Sequence, residues 1–151
     1  MRENKALRWL CLAGLILVTG CGSGSDPVRG TIDEMVRAAE KRDTASVMDR
    51  LAQDFQAADG SGRADAEATL RRYFAAYERL DVRISDVTIE RAAGAARARF
   101  RAELSGKPRQ IAGLDGWLPR SASYRFDLRL SPDSGGRWLV TSAGWEEAPG
   151  R

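Results

Sequence analysis

The chain has 151 residues, 43% hydrophobic and 30% charged, with a formal net charge of +3, two Cys and no His. That length and apolar share suffice for one domain that buries roughly two-thirds of its unfolded surface. Without His, Ser-His and Cys-His catalysis are excluded, and a zinc or copper site lacks its usual ligands.

The chain opens with Arg2, Lys5 and Arg8 ahead of an apolar run, Trp9 to Val18. The run is about half the ~20 residues that a spanning helix needs, which is the layout of a secretory signal. Val18-Thr19-Gly20-Cys21 resembles the bacterial lipobox, in which the Cys thiol is diacylglycerated and becomes the new N-terminus. Residues 1–20 then form a lipoprotein signal peptide, and Cys21 carries the lipid, palmitate-type chains included. Loss of the signal removes most of the excess positive charge. A nearly neutral mature chain argues against a nucleic-acid binder. It also has no free thiol, since Cys11 is discarded and Cys21 acylated, so a disulfide is excluded. The expected location is the cell envelope, anchored to the membrane through the acyl chains. Gly22 in place of an Asp favours the outer membrane, facing the periplasm. Residues 21–30, rich in Gly and Ser, read as a flexible lipid-attached tether.

The domain is expected over residues 31–147, with a short tail at 148–151. Thr31-Ile32-Asp33-Glu34 has the pattern of a capping box, and Ile32, Met35, Val36 and Ala39 form one helical stripe. Asp43 is placed to cap a second helix with a buried face of Val47, Met48, Leu51, Ala52 and Phe55. Asp59-Gly60-Ser61-Gly62 is a turn, with too few oxygens for a calcium loop. A third helix is predicted from Ala64 to about Leu80, with Ala66, Leu70, Tyr73, Phe74, Tyr77 and Leu80 on one face.

After Leu80 the apolar period changes from 3.6 to 2. Val82 and Ile84 alternate, then Val87 and Ile89 in the opposite phase, which predicts a β-bulge near Ser85-Asp86. Ala96 to Leu104 and Tyr124 to Leu130 each alternate against a charged row. A turn at Pro132 to Gly136 leads into a last strand from Arg137 to Trp145. The connection Ser105 to Ser121 is long for a small domain and carries Ile111, Leu114, Trp117 and Leu118. It reads either as a lid over a pocket or as a plug of the core, with Trp117 at its centre.

Three helices followed by a curved antiparallel sheet of four or more strands is an α+β order that resembles the nuclear transport factor 2-like superfamily, the cone shared with ketosteroid isomerase and SnoaL-type cyclases. The resemblance rests on Ile32-Asp33-Glu34-Met35 leading to Lys41-Arg42-Asp43, on Leu51-Ala52-Gln53-Asp54-Phe55, and on Leu70-Arg71-Arg72-Tyr73-Phe74. The terminal Gly136 to Glu146, with Trp138 and Trp145, carries it further. The short hairpin that many members place between helices two and three is expected to be missing or reduced to Gln56 to Arg63.

The resemblance implies a pocket at the bottom of the cone. Ketosteroid isomerase places there an Asp base, with a Tyr and a neutral Asp as hydrogen-bond donors. Here Glu103 and Asp127 share phase with the arginines and point away from the interior. Tyr73, Tyr77 and Tyr124 point inward without an evident base, and Tyr73, Tyr77, Trp117, Tyr124 and Trp138 are the candidate pocket residues. The alternative for such tyrosines is burial against backbone carbonyls. No residue is assigned a catalytic role, and no cofactor or metal is implied. The favoured reading is a lipid-anchored binding or interaction module for a small apolar ligand or a protein partner, with a second copy of the chain docking through the sheet as a further candidate. The alternative is an isomerase or cyclase in the same pocket, which would need Asp54, Asp86 or Glu146 buried beside a Tyr. The row Arg97, Arg99, Arg101, Arg125 and Arg129 reads as a solvated face in preference to a phosphate-binding one.

Overall fold

The computed structural model describes residues 25–110 and 119–149. Residues 1–24, with the signal and Cys21, and residues 111–118, with Ile111, Leu114, Trp117 and Leu118, lie outside the described residues. The elements run α1 (Pro27–Glu40), α2 (Thr44–Met48), β1 (Leu51–Ala57), α3 (Arg63–Ala76), β2 (Tyr77–Ala92), β3 (Ala95–Pro108), β4 (Ser121–Pro132) and β5 (Trp138–Glu147). The strands form one sheet in the order β1-β5-β4-β3-β2, antiparallel except where β1 runs parallel to β5. Three helices on such a sheet are the expected α+β architecture, with a fifth strand.

The first helix starts earlier than its Thr31 pattern suggests. Asp26 is the N-cap, its carboxylate accepting from the amides of Val28 at 2.8 Å and Arg29 at 3.4 Å, and Pro27 supplies a preset φ in the first turn. An acid followed by Pro is the stronger start. Thr31 is buried inside the helix instead, where its hydroxyl donates to the carbonyl of Trp138 at 3.0 Å.

The predicted second helix is a helix followed by a strand. Asp43 does cap α2, accepting from the Ser46 amide, but the helix ends at Met48. Leu51–Ala57 then pairs with β5, the Val140 amide donating to the Arg50 carbonyl. Leu51 and Phe55, four residues apart, lie on the same buried face by ordinary strand alternation, and the pairing with β5 is irregular between Leu51 and Gln56. That four-residue spacing imitates a helix, and the tertiary pairing overrides it. The segment between α2 and α3 is therefore no missing hairpin. It is β1, a turn at Asp59–Gly62 and a bridge between Gln56 and Gly62.

A similar slip shortens α3. Tyr77 already has extended backbone, and an irregularity between Tyr77 and Arg79 puts Tyr77 and Leu80 on one face of β2. Both are buried, but from the sheet and not from the helix. The bulge in β2 lies where the phase change predicts it, between Ser85 and Thr88, with Asp86 at φ 54°. A second shift between Arg129 and Leu130 bends the pairing of β4 with β5.

The alternation in the long strands is as expected. Ala96, Ala98, Phe100 and Ala102 are buried with Leu128, Leu130 and Val140 under α1 and β1. A second cluster joins Ala38 of α1, Val47 of α2, Phe74 of α3 and Leu80 of β2. Gly106 of β3 is obligatory for sterics: a Cβ there would sit 2.8 Å from the Arg79 carbonyl oxygen and 2.8 Å from the Tyr77 ring. The Gly106 amide donates to the Arg120 carbonyl at 2.9 Å, so the 105–121 connection is closed at its base.

Candidate functional site

The candidate site lies at the end of the sheet where β2 begins and β5 finishes. Tyr77, the first residue of β2, is 2% exposed, and its hydroxyl donates to the Pro119 carbonyl at 2.8 Å. One α-helical turn upstream, Tyr73 of α3 packs against it with ring centroids 4.9 Å apart and the planes tilted by 40°. Tyr124 projects from β4 on the same face as Phe126, at 6.3 Å, and Phe126 stacks on Phe100 at 5.3 Å. Alternation on β3, β4 and β5 thus builds an aromatic row, Phe100-Phe126-Tyr124. Trp145, half exposed, is the cross-strand neighbour of Phe126.

The acid of this site is Glu147, opposite Tyr124 in the β4–β5 register. The predicted last strand stops at Trp145, two residues short. The signal that would have found Glu147 is phase, since Trp145 and Glu147 share a face. Glu147 and Tyr124 line an open cleft of about 980 Å³ together with Val82, Ile84, Leu104, Ala122 and Ala148. The lining also takes in Arg83, Glu103 and Ser123 of the opposite phase, so the cleft wraps around the sheet end.

Burial raises the Tyr73 phenol pKa well above its ordinary value, and the neighbouring Tyr77 and Tyr124 add to the shift. Tyr124 is raised by burial first, then by the charge of Glu147 and by Tyr77. Tyr73 and Tyr124 therefore stay protonated across ordinary pH, as neutral donors. The sign of the linkage follows. A phenol with a folded pKa above its unfolded value of about 10 stabilises the fold fully below that pH, and the contribution is lost as pH rises beyond it. Spectrophotometric titration at 295 nm is thus expected to show a phenolate fraction that ionises late, together with unfolding above about pH 10. Ionisation of Tyr73 and Tyr124 near pH 10 would contradict the packing described.

The other acids considered lie elsewhere. Asp54 is exposed on β1. Asp86 has a solvent-facing carboxylate 3.9 Å from Arg101. Glu146 faces Arg125 at 2.9 Å. Trp138 sits at the opposite end of the sheet from the tyrosines, against the core, with the Arg91 guanidinium 5.1 Å above its ring. Trp117 and Cys21 lie outside the described residues. Of the candidate residues, the structure therefore brings together Tyr73, Tyr77 and Tyr124.

Four of the five arginines of the row, Arg97, Arg99, Arg101 and Arg125, lie beside a carboxylate. Arg97 holds Asp127 at 2.8 Å and lowers the pKa of its carboxyl. Arg99 pairs with Glu90, Arg125 with Glu146, and Arg101 donates to the Pro149 carbonyl at 2.9 Å. Such a lattice of exposed pairs has little net pull on an anion. Among the described residues no cluster of three or more acids is placed to hold a metal ion.

No protein-family model and no curated protein sequence matches the chain. Solved structures do match in fold. A candidate scytalone dehydratase from Novosphingobium aromaticivorans superposes with a TM-score of 0.69 at 10% identity, over 82% of this chain and 83% of that one. An NTF2-like protein from Cytophaga hutchinsonii gives 0.62 at 15% identity, over 80% and 95%. A candidate dehydratase of the NTF2-like family from Streptomyces avermitilis gives 0.66 at 13% identity, over 82% and 95%. The chain has the NTF2-like fold.

Proposed function

We propose that the chain is a binding module, held at the envelope membrane by acyl chains on Cys21, that takes a small, largely apolar ligand at the tyrosine end of its cone. The observation that carries this reading is the composition of the cleft. On the interior phase it is lined by Val82, Ile84, Leu104 and Ala122 with the neutral Tyr124 phenol beside them, and it also takes in the charged Glu40, Asp81, Arg83, Glu103 and Glu147. An apolar stripe beside placed polar groups is the kind of lining that ligand sites use. Lipidation and an outer-membrane position rest on Val18-Thr19-Gly20-Cys21 and Gly22. Among the described residues no helix is long and apolar enough to cross a membrane.

Tyr124→Ala is the test. The side chain is only partly buried, so the melting temperature is expected to change little. Affinity for a neutral probe such as N-phenyl-1-naphthylamine is expected to fall roughly five- to ten-fold, the value of one lost aromatic contact. Unchanged probe affinity in a folded variant overturns the site. An isomerase- or dehydratase-like reading is favoured by one observation, the carboxylate of Glu147 opposite Tyr124. In that case Glu147 is the base, and Glu147→Gln stops turnover of the ligand while the probe still binds.

A further inference from the structure

The end of the domain opposite the cleft carries a fixed exit point for the tether. Asp26 caps α1 and pairs with Arg91, and Arg91 in turn lies over Trp138. The chain thus leaves the rigid body at Asp26, locked between α1, β2 and β5. Only Gly22 to Ser25 separate that point from Cys21. Fully extended, the five peptide steps reach at most about 18 Å. The same end holds the β2–β3 turn at Ala93-Gly94 and the β4–β5 turn closed by the Asp133 amide on the Arg137 carbonyl. β4, 12 residues long, separates this end from the cleft. At ~3.3 Å per residue that is about 40 Å, more than twice the reach of the tether.

We infer that this end is a membrane-docking surface, resting on the phospholipid headgroups of the bilayer that holds the acyl chains, with the cleft turned away from the membrane. The inference rests on the acylation of Cys21 proposed above. The surface is suited to headgroups. Arg29, Arg91 and Arg137 surround the exit, with side chains 41%, 41% and 62% exposed and each paired to a single carboxylate: Asp33, Asp26 and Asp133. Each pair is net neutral, so, as on the arginine row, the pull on a lipid phosphate is small, and these guanidiniums act as contacts that the short tether brings to the headgroups. Docking by this end leaves the cleft open to ligands arriving from the aqueous side.

The processed chain, purified with its native lipid and inserted in phospholipid nanodiscs doped with a gadolinium-chelating lipid, gives the test by amide relaxation. The amides of Gly94 and Gly136 are expected to relax on the order of ten-fold faster, or more, than those of Ser121 and Glu147, given the ~40 Å between the two ends. Equal enhancement at both ends, as for a domain lying flat or tumbling freely, overturns the inference, as does the reverse gradient. The mass of the same sample separates the two failures. Lipid present on Cys21 with no gradient overturns the docking surface alone, whereas an unmodified Cys21 overturns the anchor and the docking surface with it.

Discussion

Phe74→Ala is expected to destabilise the domain by about 3–5 kcal/mol, enough to unfold much of a marginal protein at 37 °C. Phe74 is the buried residue of α3, 5% exposed. It joins Ala38 of α1, Val47 of α2 and Leu80 of β2 in the second core cluster, with the Tyr73 ring edge-on at 6.5 Å. Four elements therefore meet on one ring, and none can collapse into the space without moving the other three. The loss reaches the site as well, because α3 carries Tyr73 against Tyr77. Urea melts measure the effect, and Phe74→Leu is the control that keeps most of the volume, at a cost below about 1.5 kcal/mol. A loss under about 1 kcal/mol for Phe74→Ala would mean that α3 does not pack as described.

The strands were legible because their chemistry repeats every second residue. From Ala96 to Leu104 small and apolar side chains alternate with Arg and Glu, and only one face of a sheet satisfies both. The bulge in β2 was legible for the same reason, as a break in phase between Ile84 and Val87. The failures also share a cause. At Leu51/Phe55 ordinary strand alternation, and at Tyr77/Leu80 an irregular pairing, brings residues four and three apart onto one face, and a single sequence cannot distinguish that from a helical turn. The start of α1 was missed because Asp26-Pro27 stands in a Gly/Ser-rich run that reads as linker. For the site, the inward phase expected of Tyr73, Tyr77 and Tyr124 is the one they have, and of the three Tyr124 lines the cleft. Phase could not place Trp138 at the other end of the same sheet, since it gives the face and not the position along the strand. The two possibilities for the tyrosines divide between them: Tyr77 is buried on a backbone carbonyl, while Tyr124 opens on the cleft.

Cys21→Ser is expected to move the protein from the membrane fraction to the soluble one almost completely. The argument is one of what remains to hold it. The thiol is the only acyl acceptor in the lipobox, and a Ser hydroxyl is not diacylglycerated, so the variant keeps no lipid. Each buried CH₂ of an acyl chain contributes about 0.8 kcal/mol, and two or three chains make an anchor where one gives only marginal binding. Without them the described residues offer an outer sheet face of paired charges, Arg97–Asp127 and Arg125–Glu146 among them, and no helix among them is long and apolar enough to cross a membrane. An unprocessed signal would not substitute, because Trp9 to Val18 is about half a membrane span. The headgroup contacts of Arg29, Arg91 and Arg137 are individually weak and act only once the lipid holds the domain in place. Fractionation of the serine variant with the membrane, unchanged by high salt, would show that another element anchors the chain and would overturn the lipobox reading of Val18-Thr19-Gly20-Cys21.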